Sequence, residues 1–239
     1  MEGERRLGET CHPDNPFQVS DYVKVEGAHH SDQHASEPFH EDLINRGYKP
    51  ETTYADSAYV SGKNIVASRD QGVALKGPMS GVAPRRLTLG HFEFNSERTQ
   101  MIRCPAGEAP VRHAPSKTEG AMNAFFAVER CATCPLRAHC PVRHDQCSYI
   151  SFRPTDVATG QRRCEQETDE FKCEYKIRSG IEATNSQLKN KRGLGRLRVR
   201  GSPAVTLTAI FKVVAENVWR MVKHALSIMK TPANAPAKA

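Results

Sequence analysis

The chain has 239 residues, of which 38% are hydrophobic, and its net charge at pH 7 is +7. A basic excess of this size predicts an anionic partner, with nucleic acid as the first choice. The sequence has no run of about 18 apolar residues and no apolar N-terminal segment, so we expect neither a membrane partner nor a signal peptide. We expect a cytoplasmic protein whose eight cysteines are reduced or bound to metal.

The first 77 residues alternate between strand and helix patterns. In the second half of this stretch, Ala35, Phe39 and Leu43 recur every four residues, and Gly47 is a good stop signal for a helix. Strand patterns occupy residues 5–11, 17–26, 52–56 and 73–77, and helical patterns occupy residues 35–47 and 61–72. This order predicts that residues 1–77 form the first part of a mixed α/β core.

A carboxylate, Asp56, stands at the end of the predicted strand TTYAD. A side chain at the carboxyl edge of a sheet is held rigidly and faces open space, where ligands bind in α/β folds. This position makes Asp56 a candidate ligand for a cation. The alternative is an ordinary turn aspartate or a helix N-cap.

Residues 78–152 differ from the rest because helical periodicity disappears there. HFEF and TQMIRC flank NSER like a hairpin, and AFFAVE reads as a further strand. We therefore predict a small inserted β domain of the zinc-ribbon kind, since a segment of this size does not easily build a sufficient core.

The inserted segment contains a C-x2-C pair with further thiols nearby, which predicts a tetrahedral zinc site. The alternative is a set of free buried thiols. Cys11, Cys164 and Cys173 have no ligand spacing and are expected to behave as small hydrophobic residues. The predicted zinc ligands are Cys104, Cys131, Cys134 and Cys140, and the substitutes are Cys147, His113, His139 and His144.

Helical patterns return at Asp169 and place four chemically matched side chains on one helix face. At about 100° per residue, Arg178, Glu182 and Lys189 fall within roughly 60° of Tyr175. A carboxylate suits a metal ion, and the two cations suit phosphate oxygens beside it. The alternative is a surface helix with i,i+3 and i,i+4 ion pairs.

Six basic residues occur within twelve positions that include no acid, and two glycines among them allow close approach to a backbone. We predict that this basic run contacts DNA phosphates, with a solvated loop as the alternative. The run consists of Lys189, Lys191, Arg192, Arg196, Arg198 and Arg200.

The C-terminal part of the chain reads as a long amphipathic helix. Ser202 and Pro203 form an N-cap and first helical position, and the helix is expected to run to Lys230. Its apolar stripe predicts core packing, with a partner-helix role as the alternative. Residues 153–230 are thus the helical second part of the core, and residues 231–239 are expected to be disordered.

The pattern Tyr-x2-Arg-x3-Glu-x6-Lys in YKIRSGIEATNSQLK resembles the Tyr–Arg–Glu–Lys signature of bacterial insertion-sequence transposases of the Asp-Asp-Glu type. The segment D-x-x-Y-x-S that begins at Asp56 resembles the second-Asp segment of the same family, and the likeness runs from about Gly8 to Lys223. Related transposases carry a similar cysteine-bearing insertion.

This resemblance implies an RNase H-like mixed sheet with helices, which binds Mg²⁺ or Mn²⁺ and acts on DNA in the bacterial nucleoid. On that reading Asp56 and Glu182 are catalytic metal ligands. It also implies that Arg178 and Lys189 contact phosphates near the scissile bond, and that Tyr175 lies near the cleaved strand.

The chain departs from the family at its N-terminal end, because two predicted strands precede the first helix where the family has three. The family's first Asp therefore has no counterpart, and Asp14, Asp21 and Asp32 are the nearby substitutes. We expect the C-terminal part of a transposase that is inactive alone and associates with DNA, with an N-terminal transposase part, or with itself. One alternative is a non-catalytic, zinc-stabilised DNA-binding protein that modulates an intact transposase. An unrelated zinc-ribbon protein would leave the Tyr175–Lys189 pattern unexplained.

Overall fold

The computed structural model describes residues 4–27, 34–82 and 86–230. The chain divides into two compact units, one made of Met1–His30 and Lys176–Ala239 and the other of Ser31–Tyr175. The sequence predicted boundaries at residues 77 and 152, both of which fall inside the second unit. The predicted tail 231–239 and the substitute Asp32 lie outside the described residues.

The described chain contains ten strands and seven α-helices. The strands are β1 (Glu4–Glu9), β2 (Ser20–Glu26), β3 (Thr52–Tyr54), β4 (Ala74–Lys76), β5 (Glu93–Phe94), β6 (Met101–Arg103), β7 (Arg112–Pro115), β8 (Met122–Phe126), β9 (Arg143–His144) and β10 (Ser148–Phe152). The helices are α1 (Ser36–Asn45), α2 (Gly62–Asp70), α3 (Val128–Ala132), α4 (Pro154–Glu165), α5 (Asp169–Tyr175), α6 (Ser179–Asn190) and α7 (Ser202–Lys230).

The first unit packs two helices against an antiparallel hairpin. β1 and β2 pair in register, with an irregularity between Gly8 and Glu9. Apolar side chains of α6, of the loop after it and of α7 meet apolar side chains of the hairpin. This core contains Leu188, Leu194, Ala209 and Val213, with Leu7, Val23, Val25 and Leu197 packed against it.

The second unit begins with a parallel pair of strands joined by a helix. β3 and β4 pair from Thr52 with Ala74 to Tyr54 with Lys76, and α2 connects them. α2 begins as the sequence predicted, because the Ser61 hydroxyl accepts a hydrogen bond from the Asn64 N–H. α2 and α4 also lie in close contact, since a Cβ on Gly62 would come within 2.0 Å of the Thr155 carbonyl oxygen.

Six short strands, β5 to β10, lie between residues 93 and 152 of the second unit. β5 and β6 form the expected hairpin, and β8 is the predicted third strand. β8 belongs to a four-stranded sheet in the order β7–β8–β10–β9, and the sequence did not predict the other three strands. Its buried face packs against α4 through a core that includes Phe126, Phe152 and Val157.

Two helical predictions are wrong. α4 begins at Pro154, fifteen residues before the predicted return of helix, with proline at its first position, where the missing N–H costs nothing. The predicted continuous helix over residues 175–189 is interrupted, because α5 ends at Tyr175, a 3₁₀ turn covers Lys176–Arg178 and α6 begins at Ser179. Tyr175 therefore does not share one regular helix face with Glu182 and Lys189.

The apolar stripe of α7 is also placed differently from the prediction. The helix buries Ala209 and Val213, together with Glu216, against its own unit. Most of the stripe that predicted core packing is exposed, including Phe211 (64%) and Val218 (51%). The core needs one narrow face of this long helix, so its other apolar side chains remain at the surface.

Within the described residues the strands form several small sheets, and β1–β2 and β3–β4 are separate two-stranded sheets where the sequence predicted one mixed sheet. The described residues nevertheless make a mixed α/β protein, as predicted from the order of elements. None of the helices in the described ranges is long and apolar enough to cross a bilayer.

Candidate active site and nucleic-acid interface

Asp56 lies two residues beyond the end of β3, at the carboxyl end of the parallel pair, and its side chain is exposed. The Ser57 N–H donates a hydrogen bond of 2.6 Å to Asp56 Oδ1. The Asp56 carbonyl accepts from the Tyr59 N–H at 2.9 Å, which closes a tight turn. The carboxylate is thus held by its own turn and is open to solvent, as a cation ligand needs to be.

Hydrogen bonds join the C-terminal end of α5 to the carboxyl ends of β3 and β4. The Tyr175 hydroxyl donates to the carbonyl of Ala55, the residue before Asp56, at 3.0 Å. One helix position earlier, the Glu174 carboxylate accepts from the Tyr54 hydroxyl and from Lys76 Nζ, both at 2.6 Å. The Lys76 hydrogen bond, followed by that of Tyr54, lowers the pKa of Glu174 below its ordinary value.

Glu182 lies in the first turn of α6, where the helix N-terminus favours a negative charge. Its carboxylate pairs with the Arg178 guanidinium at the i,i+4 spacing, and 65% of the Glu182 side chain is exposed against 18% for Arg178. The pairing orients the carboxylate without covering it. The opposite face of α6 is buried through Thr184 and Leu188.

A buried ionic network fixes α6 against β1 and α7. Thr184 donates to the Glu9 carboxylate at 2.8 and 2.9 Å, and Arg220 donates to the same carboxylate and to the Gln18 carbonyl. Arg220 also lies 3.6 Å from Glu216, and the side chains of both acids are only 3% exposed. Because Thr184 is two residues from Glu182, this network determines where α6 presents its first turn.

The basic run follows the buried Leu188, and five of its six cationic side chains are exposed. The exposed cations are Lys189, Lys191, Arg196, Arg198 and Arg200. Arg192 differs, because its guanidinium donates to the buried Glu216 carboxylate at 2.6 Å and lies near the Trp219 ring. The sequence prediction of Arg192 as a phosphate contact overlooked a carboxylate 24 positions away.

The four predicted zinc ligands line one small cavity of about 20 Å³ in the inserted segment. His144 and Arg137 line it as well, whereas the other substitutes Cys147, His113 and His139 do not. Burial, followed by the effect of neighbouring thiolates, raises the pKa of the Cys140 thiol. In the described ranges, no group of three or more His, Cys, Asp or Glu side chains is arranged to hold a metal ion as it stands.

The two described candidates for a third carboxylate ligand, Asp14 and Asp21, differ in their environments. Asp14 lies in the exposed loop after β1, near His12. Asp21 is half-buried on β2, the second strand of the hairpin. Glu9, which the sequence gave no reason to single out, is enclosed by Arg220 and Thr184 and is therefore unavailable to an incoming cation.

Sequence reasoning missed the Glu174–Lys76 pair and Arg220. Glu174 and Lys76 are 98 positions apart, and Arg220 and Glu9 are 211 apart. No local pattern relates residues so distant, and each pair becomes visible only when the strands are in place.

A model of the transposase DDE domain family matches residues 103–222, which are 120 of the 239 residues. The matched segment includes Glu182, the basic run and the four cysteines, and Asp56 lies before it. Comparison with curated proteins and with solved structures gives no match. Since the family segment spans half of the chain, and contains the exposed carboxylate of α6, the chain belongs to the DDE transposase family.

Proposed function

We propose that this chain acts in the cleavage and transfer of DNA strands by a bacterial insertion-sequence transposase. The observation that carries the proposal is the family segment, which contains an exposed Glu182 at the start of α6 in the Tyr–Arg–Glu–Lys pattern. The exposed cations that follow on the same segment favour DNA as the substrate.

Asp56 and Glu182 are the proposed ligands of catalytic Mg²⁺ or Mn²⁺. Both carboxylates are exposed, and both are oriented by a local hydrogen bond, from the Ser57 N–H and from Arg178 respectively. Hard divalent cations prefer oxygen ligands of this type. When bound, such ions activate a water or a 3′-hydroxyl and stabilise the leaving oxygen of the phosphodiester.

The cations around Glu182 have separate proposed tasks. Arg178 keeps the carboxylate oriented in the metal-free chain and contacts a phosphate once the carboxylate binds metal. Lys189 and Lys191 extend the phosphate contacts along the helix end, and exposed Arg196, Arg198 and Arg200 continue them. Arg192 serves as a link to Glu216 and not as a phosphate contact.

Tyr175 is proposed to position the turn that carries Asp56. Its hydroxyl donates to the Ala55 carbonyl, and its ring stacks on Phe171 with centroids 5.7 Å apart. The neighbouring Glu174 adds hydrogen bonds to Tyr54 and Lys76. These contacts hold α5 against the ends of β3 and β4 and so limit the freedom of the Asp56 turn.

We also propose that a third carboxylate completes this metal site. Glu9 does not serve, because Arg220 and Thr184 enclose it. The candidates are Asp21, which is half-buried on β2, and a carboxylate of an associated transposase chain or of a second copy of this one.

A strand-cleavage assay on insertion-sequence ends with Mg²⁺ or Mn²⁺ tests this proposal. We expect cleavage by an assembly that contains this chain, and we expect Glu182→Gln and Asp56→Asn each to abolish it. Loss of cleavage in Asp21→Ala as well would identify Asp21 as the third ligand, whereas cleavage that persists in both Glu182→Gln and Asp56→Asn would refute the proposal.

A non-catalytic DNA-binding role is the second candidate, favoured by the exposed basic run. Comparison of Glu182→Gln with the wild-type chain distinguishes the two functions. A purely binding role predicts that the substitution changes neither DNA affinity nor DNA cleavage by an assembly that contains the chain. The catalytic role predicts unchanged affinity and lost cleavage.

A further inference from the structure

We propose that the inserted segment holds one zinc-type divalent ion through four thiolates. The ligands are Cys104, Cys131, Cys134 and Cys140. This structural metal site is independent of the DNA chemistry proposed above, and its presence or absence is measured without any DNA.

The four thiols come from three tight turns that the fold brings to one place. Cys104 begins a turn in which its carbonyl accepts from the Gly107 N–H at 2.8 Å, and Gly107 has a φ of +85° that favours glycine. Cys131 and Cys134 bracket the end of α3, and the Cys140 N–H donates to the Arg137 carbonyl at 3.3 Å. Separate turns that converge on one point are the usual framework for tetrahedral thiolate sites.

The cavity between these turns has a volume of about 20 Å³, somewhat more than the roughly 10–15 Å³ that one water needs. A wider cleft of about 320 Å³ adjoins it and is also lined by Cys104, Cys131 and Cys134, so an ion could enter from that side. Phe126 and Val142 close the walls of the smaller cavity, so a polar occupant would depend on the thiols for its contacts. A soft divalent cation fits this combination of size and sulfur donors.

A second observation concerns His144, which lines the same cavity. Its Nδ1 lies 3.1 Å from the Ser148 hydroxyl, and its Nε2 is buried with no partner. An orphaned polar atom at this place needs an acceptor or an ion. Four thiolates around Zn²⁺ carry a net charge of −2, so His144 Nε2–H and the Arg137 guanidinium would supply the donor and the positive charge that such a complex needs.

Among the residues described, no three potential ligands are arranged to hold an ion as they stand. A bound zinc ion would lie about 2.3 Å from each sulfur. α3 has five residues and the following 3₁₀ turn has three, so only short elements would have to shift for the thiols to reach these positions.

A bound ion would link the turns that pack against the small sheet core to one another. The turns at Cys104 and Cys134 lie beside the small sheet core, which Cys104, Cys131 and Cys140 contact from outside. Small β units with loops of this kind commonly rely on a structural metal.

Metal analysis of the full chain, purified without chelator, is the direct test. We expect one zinc per chain, and replacement by Co²⁺ should produce the intense thiolate charge-transfer and tetrahedral d–d absorption bands. Cys104→Ser and Cys134→Ser should abolish both signals. The matched controls Cys147→Ser and Cys164→Ser, which change half-buried cysteines outside the proposed ligand set, should retain them.

Thiol reactivity of the wild-type chain supplies a measurement that does not depend on variants folding. Of its eight cysteines, four should resist alkylation and become reactive when a chelator removes the ion. His144→Ala should keep the stoichiometry and weaken zinc affinity by about 10–100-fold. Absence of bound metal with all eight thiols reactive would overturn the proposal, as would loss of metal in His144→Ala with retention in Cys134→Ser.

Discussion

Replacing Arg220 by alanine should strongly destabilise the unit that carries Glu182. The guanidinium is 16% exposed and is bound by Glu9 and by the Gln18 carbonyl, while Glu9 itself is 3% exposed. Its removal leaves the Glu9 carboxylate buried with Thr184 as its remaining donor. Breaking one side of a buried ion pair costs about 3–5 kcal/mol, and we expect a loss of this size in the free energy of unfolding.

Urea unfolding followed by the fluorescence of Trp219 reports on this unit specifically. Trp219 is the only tryptophan of the chain, and it lies on α7 beside Arg220. For a slope of about 2 kcal/mol per molar urea, a loss of about 4 kcal/mol lowers the midpoint by about 2 M. Lys223→Ala is the matched control, since Lys223 is exposed on the same helix and should change stability by less than about 0.5 kcal/mol.

A double substitution distinguishes the loss of the Glu9–Arg220 ion pair from a general effect of shortening a side chain. Glu9→Gln combined with Arg220→Met removes both charges, so its loss should be clearly smaller than the sum of the single losses. An Arg220→Ala variant as stable as Lys223→Ala would refute the buried network as the element that holds α6 in place.

Two further predictions concern DNA binding and pH. Neutralising Arg196, Arg198 and Arg200 to glutamine should make the salt dependence of DNA binding shallower by about 0.9 logarithmic units per contact. The matched triple variant of exposed Lys49, Arg86 and Lys117 should retain the wild-type slope, and equal slopes for both triples would place the DNA surface elsewhere. Burial lowers the pKa of His40, so the unfolded chain takes up the proton more readily and stability should fall as pH decreases below about 6.5, the unfolded value. Circular dichroism unfolding at several pH values should show a flatter dependence for His40→Gln, and an unchanged dependence would contradict a neutral His40.

Local signals in the sequence predicted many elements of the fold. Ser61 caps α2 as expected, and Gly47 and Gly72 follow α1 and α2 with φ values of +86° and +79° that favour glycine. Such signals act over a few residues, so they survive any arrangement of the rest of the chain. The alternation of strand and helix through residue 77 was predictable for the same reason.

Features that depend on distant contacts could not be predicted. The break between α5 and α6 coincides with the hydrogen bond of Tyr175 to Ala55, 120 positions earlier, which no periodicity analysis contains. The ion pair of Arg192 with Glu216, 24 positions later, could not be predicted for the same reason. The apolar stripe of α7 was visible, but the sequence does not reveal which side of a broadly apolar helix the core uses.

The same distinction between local signals and distant contacts applies to the candidate site. Local motifs and the family resemblance made Asp56, Glu182 and the thiols that line the small cavity candidates, and their roles stay predictions. The residues that position them, such as Glu174 and Arg220, required the structure. Thus candidate ligands could be named from the sequence, and the contacts that hold them in place could not.

The central proposal is that Asp56 and Glu182 bind the same catalytic ions, and Fe²⁺-directed cleavage of the protein backbone tests it most directly. Fe²⁺ replaces Mg²⁺ at carboxylate sites, and the hydroxyl radicals that it generates from added hydrogen peroxide cut the chain next to the bound ion. We predict cuts near both residue 56 and residue 182, competed by Mg²⁺ and lost together in Asp56→Asn and in Glu182→Gln. The control Asp70→Asn, at an exposed carboxylate on α2, should retain both cuts. Cuts at one position only, or cuts at residue 56 that persist in Glu182→Gln, would contradict a shared metal site.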